Sequence, residues 1–299
     1  MTTKLLHNAQ SFVTLHMTLQ EIKLVYKQKL VPLYEAIEIN SLFTMAAEHI
    51  TNWDSLQQVL HKSDPLTAVQ KKGFDDCLEE LLTEKPIQYI IGTAWFMGKS
   101  FTVNSNVLIP RPETEELVDW IIDYVQILNK PMRILDIGTG SGCIAISLKD
   151  NLPACTLTAI DISEPALNVA RLNAAHLNTS IEFIQEDILK TTTLSDKFDI
   201  IVSNPPYIPF KENVNMQIQV KNFEPAIALF VTDEDPLVFY RTIARLGKQY
   251  LNPKGQLFFE MHYDQGKALL ALFDEMGYHA ELRQDLFGKD RMLRASLKK

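Results

Sequence analysis

From Arg133 onward, short apolar runs alternate with longer amphipathic stretches, and few folds accommodate that pattern. Residues 133–137, 157–160, 181–184, 198–203 and 256–260 are each strand-length and rich in Ile, Leu, Val and Phe. The segments near 143–148, 164–177, 236–250 and 264–276 have helical spacing. Strands separated by helices imply βαβ units, and therefore a mostly parallel sheet covered on both faces. The last two apolar runs, near 279–283 and 292–297, have no helix between them and predict an antiparallel edge hairpin. The expected class is α/β, a doubly wound Rossmann-like sheet. Such sheets bind ligands at the carboxyl ends of their strands.

The strand ends carry the chemistry. After the first strand comes Gly138-Thr139-Gly140-Ser141-Gly142, a tight turn that brings backbone N–H groups to a ligand. A phosphate-cradling P-loop needs Gly-Lys-Ser/Thr at its end, and this loop continues Gly142-Cys143-Ile144. The dinucleotide fingerprint needs its third Gly where Cys143 stands. S-adenosylmethionine has no phosphates to neutralise and asks for backbone approach, a carboxylate for its ribose diol and contacts around its adenine. Asp161, at the end of strand two, is spaced for the ribose. Asp187 after strand three can accept from the adenine amine, with Ile188 against the ring. The plain alternative for either aspartate is helix capping. Cys143 reads as a small packed residue, since no cation or His neighbours it in sequence.

Strand four ends in Asn204-Pro205-Pro206-Tyr207. Two adjacent prolines fix φ twice and remove two donors, so the chain leaves the sheet as a stiff turn. The Asn204 side-chain oxygen and the Pro205 carbonyl are two acceptors that can hold a planar NH2 group. Tyr207 offers a face for that group to lie against. Such a site suits an amide or aromatic amine nitrogen, a weak nucleophile that becomes reactive when its hydrogens are held and its lone pair is directed. Asn204, Pro205 and Tyr207 are the expected catalytic residues, Pro206 joins them in binding substrate, and Asn204 is expected to touch the cofactor as well. The bland alternative is a Pro-rich loop after a strand.

Residues 1–85 look helical throughout and predict a small all-α bundle. Thr18 with Glu21 has capping-box spacing, Asp54 suits a cap, and Asp64-Pro65 reads as a helix start. His7, His16, His49 and His61 show no ligand spacing, so no metal is expected. Residues 86–110, including 89–92, read as short strands with Gly turns, a β-hairpin linker to a catalytic domain at 111–299. With 46% hydrophobic and 22% charged residues, the 299-residue chain has ordinary globular composition, and its net charge of −8 argues against nucleic acid as a partner. Three cysteines in no zinc or disulfide spacing, no signal-peptide core and no apolar run of membrane length predict a cytoplasmic protein off the membrane.

The segments 84–92, 108–115 (Leu-Ile-Pro-Arg-Pro-Glu-Thr-Glu), 134–142, 202–208 and Phe223-Glu224-Pro225 resemble the HemK/PrmC protein-(glutamine-N5) methyltransferases. The resemblance runs from about residue 84 to the end, and the preceding region fits that family's small N-terminal domain in length and character. It implies that Gly138 to Gly142 wrap the methionine end of S-adenosylmethionine, that Asp161 holds the ribose, and that Asp187–Ile188 meets the adenine. Ile188 stands where some members have an aromatic residue. It further implies that Asn204 to Tyr207 hold the glutamine of a Gly-Gly-Gln loop in peptide chain release factors 1 and 2. The helical bundle would then help recognise that protein, with a monomer expected. The competing readings are an adenine-N6 methyltransferase, because Asn-Pro-Pro-Tyr also suits a flipped base, and a non-catalytic scaffold that binds S-adenosylmethionine or a release factor.

Overall fold

The computed structural model describes residues 17–299. The chain divides into two compact units, one ending at Ile91 and the other beginning at Gly92.

The first unit is helical: α1 (Leu19–Leu30), α2 (Ala36–Thr51), α3 (Ser55–Leu60), α4 (Ala68–Leu81) and the short α5 (Ile87–Ile91). Three of these helices start in capping boxes, at Thr18 with Glu21, Asp54 with Gln57 and Thr67 with Gln70. Each box satisfies backbone donors that a helix start leaves open. The apolar faces of α1, α2 and α4 meet around Tyr26, Phe43 and Phe74, and the buried Tyr26 hydroxyl donates to the Phe74 carbonyl at 2.8 Å. Among the described residues, no group of three or more His, Cys, Asp or Glu could hold a metal, and no helix is long and apolar enough to cross a membrane. His7 and His16 lie outside the described residues, while His61 hydrogen-bonds Asp64 at 2.7 Å and stacks on Trp53.

Two expectations are corrected in this unit. Asp64-Pro65 does not begin α4; Pro65 pairs with Thr18 in an isolated bridge, and the helix starts after Thr67. Pro65 fixes φ but offers no acceptor to the open N–H groups, whereas Thr67 does. Residues 89–92 are not a strand. They belong largely to α5, whose Tyr89 and Ile90 N–H groups donate to the Pro86 carbonyl at 3.0 and 3.2 Å. A four-residue apolar run without alternation does not separate a strand from a buried helical turn. Burial of Ile87 in the helical core decides for the turn. The division therefore falls at 91/92 rather than 85/86, and the hairpin is confined to β1 (Thr93–Phe96) and β2 (Lys99–Thr102).

The second unit continues with α6 (Pro112–Leu128), β3 (Arg133–Ile137), α7 (Cys143–Asn151), β4 (Thr156–Asp161), α8 (Glu164–His176), β5 (Glu182–Gln185) and β6 (Phe198–Ser203). An excursion follows: β7 (Ile208–Pro209), a 3-10 turn at Phe210–Asn215, α9 (Ile218–Phe223), α10 (Ala226–Leu229) and β8 (Phe230–Val231), with β7 and β8 paired in parallel. The chain closes with α11 (Val238–Tyr250), β9 (Leu251–Glu260), α12 (Gly266–Glu275), β10 (Tyr278–Gln284) and β11 (Asp290–Leu297). Among the described residues, seven strands form the main sheet in the order β10-β11-β9-β6-β3-β4-β5. β9, β6, β3, β4 and β5 are parallel, and β11 is antiparallel to both its neighbours, which gives the expected edge hairpin.

The strands are apolar on both faces because helices cover both. One face packs Ile134, Ile200, Val202 and Phe258 under α6 and α7, and the other packs Leu135, Ile201, Leu257 and Phe259 under α11 and α12. The winding reverses at β3. The chain runs outward from β3 through β4 to β5, then crosses back to lay β6 on the other side of β3. The loops after β3 and β6 therefore diverge over one crevice, the switch point at which α/β sheets bind ligands.

Candidate functional site

A cavity of about 360 Å³ opens over the carboxyl ends of β3, β4 and β6. The loop after β3 contributes Gly138, Thr139, Gly140 and Ser141, and the end of β4 contributes Asp161. The segment after β5 supplies Asp187 and Ile188, and the turn after β6 supplies Asn204, Pro205 and Pro206. Two further expected residues are not in the lining, Gly142 and Tyr207.

The glycine loop folds back on the sheet. Gly138 and Thr139 both donate to the Ile160 carbonyl, at 2.9 and 3.1 Å, and the Gly140 N–H donates to Asp161 Oδ2 at 2.9 Å. Gly140 has φ of +54° and no atom within 4 Å of where a Cβ would stand, so its surface is open to a ligand at backbone distance. Gly142 faces the other way. A Cβ there would lie 2.9 Å from Ile146 Cδ1 and 3.1 Å from Ala170 Cβ, so this glycine serves the approach of α7 to α8.

Asp161 also accepts from the Ser163 N–H through Oδ1 at 2.9 Å. It does not cap α8, since the Ser163 hydroxyl has that role toward Ala166. Burial raises its carboxyl above the usual range, against the pull of the Ser163 and Gly140 N–H groups. Each oxygen keeps accepting capacity, so Asp161 fits a vicinal diol. Asp187 is different: its Oδ1 accepts from Leu189 N–H at 3.0 Å and its Oδ2 pairs with Lys190 at 2.9 Å. The Lys190 ammonium is the main cause holding its carboxyl below the usual range. Ile188 is buried to 6% exposure and gives the cavity a flat apolar wall. Open glycine backbone, a diol-ready carboxylate and an apolar wall on successive strand ends fit S-adenosylmethionine.

Asn204 leaves β6 beside β3, where Ser203 ties the two strands by donating to the Ile137 carbonyl at 2.7 Å. Its Nδ2 donates to Thr114 Oγ1 at 3.2 Å, and the Thr114 hydroxyl donates to Glu260 Oε2 at 2.6 Å. The Tyr207 hydroxyl donates to the other Glu260 oxygen at 3.3 Å, and the Tyr207 ring packs at a tilt on His262. Tyr207 thus reaches behind the turn to Glu260 and is not the expected platform in the cavity. Glu260 is 2% exposed, and burial pushes its carboxyl up to about 7 against the Thr114 hydroxyl and Arg291.

The excursion after β7 forms the outer wall, through Ile227, Ala228, Phe230 and Val231. Glu224, within the excursion, is buried, pairs with Arg111 and accepts from the Ile109 N–H at 3.4 Å. Sequence reasoning assigned no role to Thr114, Glu260, Arg111 or Glu224. The available signal was an acidic residue closing an apolar strand (Glu260), and polar residues inside the two family-like segments for the others.

The family model "Methyltransferase small domain" matches residues 124–233, and "PrmC N-terminal domain" matches residues 43–92. The release factor glutamine methyltransferase of Flavobacterium psychrophilum is 41% identical over 285 residues, covering 94% of this chain and all of that one. The protein of the same description from Bacteroides thetaiotaomicron is 42% identical over 273 residues, covering 90% of this chain and 97% of that one. Among solved structures, a methyltransferase from Pyrococcus furiosus matches with a TM-score of 0.50 and 18% identity, over 68% of this chain and 91% of its own, which is a likeness of fold. The chain belongs to the release factor glutamine methyltransferase family.

Proposed function

We propose that this protein transfers a methyl group from S-adenosylmethionine to the side-chain amide nitrogen of the glutamine in the Gly-Gly-Gln loop of peptide chain release factors 1 and 2. The observation that carries this reading is one cavity lined by the Gly138–Ser141 loop, Asp161 and Asn204-Pro205, in a chain 41% identical over nearly its whole length to a release factor glutamine methyltransferase.

The bound cofactor supplies a sulfonium methyl, an electrophile with a neutral leaving group. Gly138 to Ser141 would hold its methionine end by backbone approach, Asp161 would accept from its ribose hydroxyls, and Ile188 and Asp187 would meet its adenine. Asn204 Oδ1 and the Pro205 carbonyl accept hydrogen bonds from the two N–H groups of the substrate amide. Held there, the nitrogen can leave conjugation with its carbonyl and aim its lone pair along the cavity. Positioning is the main contribution, and a near-attack geometry is worth several kcal/mol. As the N–C bond forms and the C–S bond breaks to a neutral thioether, the nitrogen turns acidic and gives up one proton to water, so no strong base is needed beforehand.

Tyr207 is committed to Glu260 and His262 outside the cavity lining and offers no platform to a flat base. The likeness to release factor glutamine methyltransferases favours an amide over adenine. We further take the protein to act as a monomer in the cytoplasm, where release factors work, without contacting nucleic acid directly, and its helical unit to dock the protein substrate. The experiment is mass spectrometry with peptide mapping of a purified release factor incubated with this protein and S-adenosylmethionine. One added methyl on the Gly-Gly-Gln glutamine is expected; no gain, with cofactor binding intact, would reject the substrate while leaving the cofactor site standing.

A further inference from the structure

The Asn204 amide has an accepting end and a donating end of nearly equal shape, and only one orientation presents an oxygen to a substrate N–H. The chain from Asn204 through Thr114 to Glu260 fixes that orientation by the direction of its hydrogen bonds. An ionised carboxylate only accepts. Both hydroxyls that reach Glu260, from Thr114 at 2.6 Å and from Tyr207 at 3.3 Å, must therefore donate to it. With its one hydrogen spent on Glu260, Thr114 Oγ1 turns only lone pairs toward Asn204. The Asn204 amide must then meet it through NH2, as the 3.2 Å contact to Nδ2 shows, and its oxygen is set on the opposite side.

We propose that Thr114 and Glu260 are positioning residues, a buried hydroxyl and carboxylate whose one-way hydrogen bonds hold the Asn204 amide oxygen outward to grip the substrate amide. The inference rests on the methyl-transfer reading above. Thr114 and Glu260 are 3% and 2% exposed, so water does not compete for these bonds. Tyr240, itself buried, donates to the Glu260 backbone carbonyl at 3.1 Å and pins the end of β9. The Gln265 amide donates to the Tyr207 carbonyl at 3.2 Å and holds the far end of the turn. The turn is thus tied at both ends to the carboxyl terminus of β9.

The charge state of Glu260 is the weak link. A protonated carboxyl can donate, which frees the Thr114 hydrogen to turn toward Asn204 and allows its amide to flip. Arg291 on β11 favours the ionised form, Glu113 on α6 opposes it, the Tyr207 hydroxyl donates to the carboxylate, and the buried Tyr240 hydroxyl and Cys143 thiol lie close enough to feel its charge. Turnover should therefore fall on the acid side as Glu260 takes up a proton.

The test is steady-state kinetics with full-length protein, whole release factor and S-adenosylmethionine, product being read by mass spectrometry. Thr114→Val should lower kcat by about 10- to 100-fold while KM for the release factor and cofactor affinity stay within about twofold. Thr114→Ser, which restores the hydroxyl, should recover most of kcat. A valine variant with wild-type kcat, or a serine variant as impaired as valine, would overturn the proposal. If Thr114→Val does not fold, Glu260→Gln carries the test. Its kcat should lose the acid limb that wild type shows, and an unchanged limb would overturn the proposal. Wild-type protein that leaves the glutamine unmethylated would instead sink the methyl-transfer reading, and this proposal with it.

Discussion

Asn204 and Asp161 share a cavity but should fail in different ways. Asn204→Ala removes one of two acceptors for the substrate amide. Turnover should drop about 10²–10³-fold, the cost of losing one positioned polar group at a reacting centre. Single-turnover assays would measure it, and near-normal turnover would remove the gripping role. Asp161→Ala should instead weaken cofactor binding, because it deletes the diol acceptor and leaves the Gly140 N–H without its 2.9 Å partner. Titration calorimetry with S-adenosylmethionine reads this directly, and unchanged affinity would take Asp161 out of the site. Glu260 carries a second, separable consequence. Burial raises its carboxyl, and that of Asp136, to about 7 in the folded chain, well above their unfolded values. A group whose folded value is raised contributes stability below its unfolded value and loses it as pH rises through the folded one. Urea melts should therefore show stability falling from about pH 5 to pH 8, by less in Glu260→Gln than in wild type. The acid side that favours folding through Glu260 is the side that would disfavour turnover. Equal pH dependence in the two proteins would mean Glu260 is ionised throughout that window.

At the scale of elements, what was legible is which residues share the cavity lining. Gly138 to Ser141 after β3, Asp161 at the end of β4, Asp187 and Ile188 after β5 and Asn204 after β6 were expected together and line one cavity, because parallel strands put their carboxyl ends on one edge. What sequence did not show is side-chain direction. Gly142 belongs to the same glycine pattern as Gly140, yet it meets Ile146 and Ala170 rather than the cavity. Tyr207 belongs to the same tetrad as Asn204, yet it points to Glu260. The excursion from Ile208 to Val231 was not legible either. Its two-residue strands and short helices carry no periodicity, although it supplies a cavity wall and is anchored by Glu224 to Arg111 and Ile109. The contrast between the two glycines is testable. Gly142 has φ of +81°, and a methyl there would collide with the α7–α8 contact, so Gly142→Ala should cost about 2–4 kcal/mol of stability. Denaturant melts would show the loss, and a variant as stable as wild type would mean that contact relaxes freely.

The whole molecule joins two units with their own cores. The helical unit buries Tyr26, Phe43 and Phe74, and the second unit buries residues on both faces of its sheet. The residues that line the cavity all belong to the second unit. Chemistry on a glutamine side chain needs nothing beyond that cavity, but choosing one glutamine among the many in a cell needs contact beyond the reacting residue. The helical unit is the part of the chain the cavity does not use, and its sequence matches the "PrmC N-terminal domain" model at residues 43–92. A protein beginning at Gly92 should therefore bind S-adenosylmethionine with nearly unchanged Kd. Its KM for whole release factor should rise at least about tenfold, the effect of losing roughly 1.4 kcal/mol or more of docking energy. A short peptide carrying Gly-Gly-Gln separates docking from damage, because both proteins should methylate it equally slowly. If the shortened protein kept its KM for the whole release factor, recognition would have to lie on the second unit, with the exposed Phe210, Val214 and Ile218 of the cavity-side excursion as the first residues to change.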